Sequence, residues 1–147
     1  MSKPQTIAVV LAAGMSTRMK SDIPKVMHRL AGLPVVDHVL ASLDAAGINE
    51  AIVVLGPETA DQADRFAPHT TVVQTERLGT GHAVRVALDA SNTGEADILV
   101  VYGDTPFIAP KTIKALLGWR QEGAAAAVLG FCPATPHAYG RLITDGD

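Results

Sequence analysis

The sequence is poor in cysteine, in aromatic residues and in long apolar runs, and each shortage narrows what the chain can be. Cys132 is the single cysteine, which excludes a disulfide framework and a cysteine-based zinc site and points to a cytoplasmic protein. It is expected in a strand, as a small buried hydrophobe. One Trp, two Tyr and three Phe place the burden of the core on Val, Ile, Leu and Ala, which suits helices packed closely on a sheet. Trp119 and Phe131 are expected in that core. No apolar run approaches the roughly 20 residues that span a bilayer. Met1 to Thr6 lead directly into a strand-like run, without the h-region and cleavage site of a signal peptide. A membrane partner is therefore not expected. A net charge of −3 argues against general affinity for nucleic acid.

What is present is a 147-residue chain, 48% hydrophobic, the size of one domain and able to bury roughly two-thirds of its unfolded surface. Its charge is uneven. Residues 1–30 carry five basic side chains against Asp22, whereas the remainder holds seven basic and fourteen acidic ones. A locally basic segment on an acidic chain suits a small anionic ligand.

Thr6 to Ala12 and Ala51 to Leu55 are β-branched and almost wholly apolar, as strands of a parallel sheet covered on both faces are. Thr70 to Thr75, Asp97 to Tyr102 and Ala124 to Phe131 are also expected as strands, and Arg141 to Thr144 as the start of one more before an Asp145-Gly146 hairpin turn. Helices are expected from Pro34 to a stop at Gly47, over Glu58 to Phe66, over Thr80 to Ala90 and over Lys111 to Gln121. Ala13 to Pro24 reads as a long loop. Strands alternating with helices give an α/β domain with a mainly parallel sheet. Ligands of such sheets bind outside the carboxyl ends of the strands, which selects the loops after Ala12 and after Tyr102.

The first loop, Ala12-Ala13-Gly14 followed by Arg18 and Lys25, combines close backbone approach with two positive charges. It reads either as a phosphate-binding loop or as a basic surface loop. It is neither a Walker A loop nor a dinucleotide fingerprint, whose glycine spacings are absent. In the second, Asp104 stands at a strand end, where it suits a Mg²⁺ ligand facing phosphates or a cap of the Thr105-Pro106 turn. A third segment, Gln74 to Ala83, places two glycines at a strand-to-helix junction and an amide able to read a base edge. His82 within it is expected to pack or cap. His28, His38, His69 and His137 are scattered and form no metal triad.

The order LAAGxxxRM, SDIPKVMH, QTERLGTGHA, VVYGDTPFI and AYGR, running from Leu11 to Arg141, resembles the N-terminal uridyltransferase domain of the bacterial N-acetylglucosamine-1-phosphate uridyltransferases. LAAGxxxRM alone marks the wider sugar nucleotidyltransferase superfamily; LGTGHA with YGDTP and YGR is more specific. The resemblance implies a Rossmann-like three-layer α/β/α domain. It implies that Leu11, Ala12, Ala13 and Gly14 meet the nucleotide, that Arg18 and Lys25 act catalytically by holding the triphosphate, and that Gln74, Gly79 and Thr80 recognise uracil. Tyr102, Gly103 and Asp104 would line the active site with Asp104 on Mg²⁺, and Gly140 would approach the N-acetylated sugar. The implied reaction joins UTP and N-acetylglucosamine 1-phosphate to give UDP-N-acetylglucosamine and pyrophosphate.

Family members continue past AYGR to further sugar ligands, a second Mg²⁺ ligand and an acetyltransferase domain that trimerises them. The resemblance therefore implies that residues 1–147 are the nucleotide-binding part of a C-terminally truncated domain, and a monomer. Ser16 stands where the superfamily loop often carries glycine and resembles the molybdenum-cofactor nucleotidyltransferases, which use CTP or GTP. That enzyme, and a nucleotide-binding fragment without turnover, are the alternatives.

Overall fold

The computed structural model of the chain describes residues 5–15, 19–135 and 140–143. Strand β1 (Thr6–Ala12) is followed by a short 3₁₀ turn (Lys25–Met27), a two-stranded ribbon of β2 (Arg29–Leu30) and β3 (Leu33–Pro34), and helix α1 (Val35–Ala46). Strand β4 (Ala51–Leu55), a 3₁₀ helix (Pro57–Phe66), β5 (Thr70–Val73), α2 (Thr80–Asp89), β6 (Asp97–Tyr102) and α3 (Pro110–Gln121) complete the order.

β1 and β4 form the middle of a four-stranded sheet ordered β5-β4-β1-β6, with every pairing parallel. A strand with a neighbour on each side and helices above and below has no polar face, so β1 and β4 are nearly continuous apolar runs. Val9, Val10, Val53, Val54 and Leu55 are fully buried. One sheet face, formed by residues such as Val10, Val53, Leu99 and Val101, packs against Val36, Val39 and Leu43 of α1, Phe66 and Ile113 of α3. The opposite face, with Ile7, Val9, Ile52 and Val54, packs against Ala83 and Ala87 of α2. Helices thus cover both faces in a three-layer α/β/α arrangement.

Elements up to β5 build the sheet in one direction from β1 over one face. The chain then crosses the other face through α2 and places β6 on the far side of β1. The strand order reverses between β1 and β6, and such a reversal opens a crevice at the strands' carboxyl ends.

Several expectations fail for one reason. Ala124 to Phe131 forms no strand, and 141–143 are not strand either; Thr144 and the Asp145-Gly146 turn lie outside the described residues. A run of four alanines has low strand propensity, and no described segment pairs with the outer edge of β6. The run instead leaves α3 along the helix end, where Arg120 Nη1 donates to Ala124 O at 2.6 Å. Without that strand, no sheet buries the residues after it, so Cys132 and Phe131 are exposed. Trp119 is exposed too, because Ile113, Leu116 and Leu117 take the inward face of α3. The smaller corrections concern element ends. β5 stops at Val73, Pro34 precedes α1, and the helix after β4 has 3₁₀ form.

Candidate functional site at the carboxyl ends of the strands

The sheet ladder continues one step past two strands and levels the floor of the site. Gly103 N donates to Leu11 O at 2.9 Å, and Gln74 N donates to Leu55 O at 2.9 Å. These bonds join the ends of β1 and β6 and of β4 and β5 along one rim, although the segments are far apart in sequence. A cavity of about 530 Å³ opens there.

Of the residues expected at the site, Leu11, Ala13, Gly14, Lys25, Gln74, Gly79, Thr80, Tyr102 and Asp104 line this cavity. Ala12 and Gly103 lie buried beneath it. Arg18 is outside the described residues. Gly140 is exposed and does not line the cavity. A larger depression, about 750 Å³, lies at the amino ends of the strands, but Glu50 is the one formal charge among its lining residues, which disfavours an anion.

Gly103 is needed for close approach. A Cβ there would stand 3.1 Å from Leu11 O, 3.3 Å from Val26 Cγ1 and 3.4 Å from Ala12 Cβ. Leu11 O belongs to the central strand and cannot retreat, and Val26 adjoins Lys25. Gly103→Val is therefore expected to lower unfolding stability by about 1–3 kcal/mol through overpacking, read as a lowered urea midpoint. An unchanged midpoint would show that the rim yields.

Lys25 and Asp104 come from segments 79 residues apart and form an ion pair, Nζ to Oδ2, at 2.7 Å. Thr105 Oγ1 donates to Asp104 Oδ1 at 3.3 Å, so the carboxylate also meets the turn it was expected to cap. Both charged side chains keep partial contact with solvent, 47% for Lys25 and 32% for Asp104, and remain open to a ligand. No group of three or more His, Cys, Asp or Glu side chains able to hold a metal occurs among the described residues. The carboxylate that lines the cavity is Asp104, and a single carboxylate suits a hard divalent cation whose remaining ligands come from water or a bound anion. Asp104 already holds a cation, the lysine ammonium, and fits that role.

On the opposite wall, Gly79 has φ +101°, a conformation that favours glycine, and starts α2 at Thr80 beside the cavity. Gln74 is 4% exposed; its Nε2 lies 3.2 Å from Gly79 O and 3.0 Å from His82 Nδ1. His82 thus makes a side-chain contact at the site instead of capping α2, which has no side-chain cap bond. Sequence reading gave no role to Arg77, which also lines the cavity. Its Nε donates to Ala13 O at 3.3 Å and its guanidinium pairs with Glu58. It therefore braces the turn after β1. Its basic charge beside a glycine-rich junction was the available signal.

The model of the MobA-like NTP transferase domain matches residues 8–141. The chain belongs to this family.

Within the family's wider relationships, the chain is 50% identical over 142 residues to the bifunctional protein GlmU of Rhodospirillum rubrum, covering 95% of this chain and 32% of that protein. It is 49% identical over 151 residues to the GlmU of Azorhizobium caulinodans, covering 100% and 34%. The chain thus spans about a third of the length of these relatives. Among solved structures, Rv0371c of Mycobacterium tuberculosis H37Rv superposes with a TM-score of 0.68 at 26% identity, over 83% of this chain and 63% of that one. A complex of Rv0371c with manganese gives 0.65 at 27% identity, over 80% and 60%. The NTP transferase assignment and the strand order agree with the α/β fold expected from the sequence. No described helix is long and apolar enough to cross a membrane.

Proposed function

We propose that the chain is the nucleotide-binding part of a sugar nucleotidyltransferase that joins UTP and N-acetylglucosamine 1-phosphate, giving UDP-N-acetylglucosamine and pyrophosphate. The observation that carries this reading is that one cavity brings together Leu11, Ala13, Gly14, Lys25, Gln74 and Asp104. The half-identity to proteins named bifunctional GlmU supports it.

In this reaction a phosphate oxygen of the sugar phosphate attacks the α-phosphorus of UTP. A new phosphorus–oxygen bond forms, and the bond to the β-phosphate oxygen breaks, releasing pyrophosphate. The nucleophile is already an anion, so no strong general base is required. The work lies in aligning two anions and neutralising their charge. The small-residue turn after β1 admits the phosphates to backbone N–H groups, and Lys25, with Arg18, holds them. Asp104 would hold Mg²⁺, which supplies charge neutralisation at the phosphates. Gln74, Gly79 and Thr80 read the base, Tyr102 and Gly103 complete the floor, and Gly140 serves the sugar side.

The test is pyrophosphate release by the chain supplied with UTP, Mg²⁺ and N-acetylglucosamine 1-phosphate. Release that requires all three supports the reading. The exposed position of Gly140, away from the cavity, favours a second reading, nucleotide binding without turnover. A UTP-dependent rise in melting temperature without pyrophosphate release would establish that alternative.

A further inference from the structure

We propose that His82 is a positioning residue that fixes which end of the Gln74 amide faces a bound base. The inference rests on the uracil-recognition reading given above and extends it to a side chain outside the direct contacts.

A primary amide has two N–H donors on one end and an acceptor oxygen on the other. In Gln74 the donor end faces two acceptors at once, Gly79 O at 3.2 Å and His82 Nδ1 at 3.0 Å. Both protons are committed to the protein. His82 Nδ1 accepts from the amide in the tautomer that carries the imidazole hydrogen on Nε2. Gly79 O is also shared, since it accepts the Ala83 N–H at 3.1 Å. Gly79 O can accept both bonds through its two lone pairs, and the imidazole supplies the second acceptor that the amide's other proton needs.

The oxygen end is different. Gln74 is buried, yet Oε1 has no hydrogen-bond partner among the described residues and is not among their sealed, unsatisfied polar atoms. It belongs to a residue that lines the cavity. The amide thus offers a ligand an acceptor and withholds its donors. Uracil presents a donor, N3–H, between its two carbonyls. Cytosine presents a lone pair at the same ring position and would face Oε1 lone pair to lone pair. Turning the amide over would reverse that preference; it would set Oε1 against Gly79 O and would require His82 to carry its hydrogen on Nδ1 instead of Nε2. His82, in the tautomer with its hydrogen on Nε2, thus joins Gly79 O in setting base choice without touching the base.

The test measures binding of UTP and of CTP, each with Mg²⁺, by calorimetry on the full chain and on three variants. His82→Ala and His82→Phe remove the acceptor, the second while keeping a ring in place. His82→Asn supplies Oδ1 as a substitute for Nδ1. The expected result is a UTP preference retained by the wild type and His82→Asn, and reduced about tenfold in His82→Ala and His82→Phe, the scale of one buried hydrogen bond. A merely structural role would weaken both nucleotides in parallel and leave their ratio unchanged, and that outcome overturns the proposal. A wild-type chain that binds without base preference would overturn the uracil reading and this inference with it.

Discussion

Asp104→Asn is expected to slow nucleotidyl transfer by about 10²–10³-fold, the scale on which one preorganised electrostatic group acts. The substitution keeps the shape of the side chain and removes its charge, so the effect isolates electrostatics from packing. Lys25→Ala should give a loss of the same order from the other member of the pair, because the cation that meets the triphosphate is gone. Neither change should unfold the protein. The pair is partly solvent-exposed, and such pairs contribute roughly 0–1 kcal/mol. Steady-state pyrophosphate release and a thermal melt on the same samples separate the two effects. Wild-type turnover by either variant would remove both residues from the proposed chemistry. A large fall in melting temperature would mean that the pair is structural.

Phe66→Ala should produce the largest loss of stability, about 3–5 kcal/mol. Phe66 is 2% exposed, closes the 3₁₀ helix and belongs to the same core cluster as α1 and α3. Its ring is the largest fully buried side chain of the described residues. A domain of this size has about 5–15 kcal/mol in total, so the variant forfeits a large share of it. Urea unfolding at unchanged m-value is the measurement. A loss below about 1 kcal/mol would show that α1 and β4 collapse into the space.

The parts of the fold that could be read from sequence are those whose environment leaves a local signature. β1 and β4 are legible because burial in a parallel sheet imposes short apolar runs, and β6, an edge strand with Val100 and Tyr102 exposed, is legible as an apolar, β-branched run. The α1 stripe was legible because Val36, Val39 and Leu43 recur at helical spacing, and Gly47 follows the helix. Ala124 to Phe131 misled for the converse reason. Glycines bound an apolar run, but a strand also requires a neighbour, and a local window carries no record of one. Most of the lining residues were legible as types at strand ends. The Lys25–Asp104 pair was not, since its partners meet only after β6 has been laid beside β1. Nor was the hydrogen bond between Gln74 and His82, which depends on the angle at which α2 leaves Gly79.

The strand order has a consequence for the sequence of events in synthesis. β1 emerges from the ribosome before β4, its partner on one edge, and β5 then adds to β4, yet the other edge of β1 waits until Asp97–Tyr102 has emerged. Contacts between distant segments form late because the intervening chain must first be closed into a loop. The rim at Leu11 and Gly103 is made of such contacts, so a nascent chain can hold an ordered β1–α1–β4 unit before it has any binding cavity.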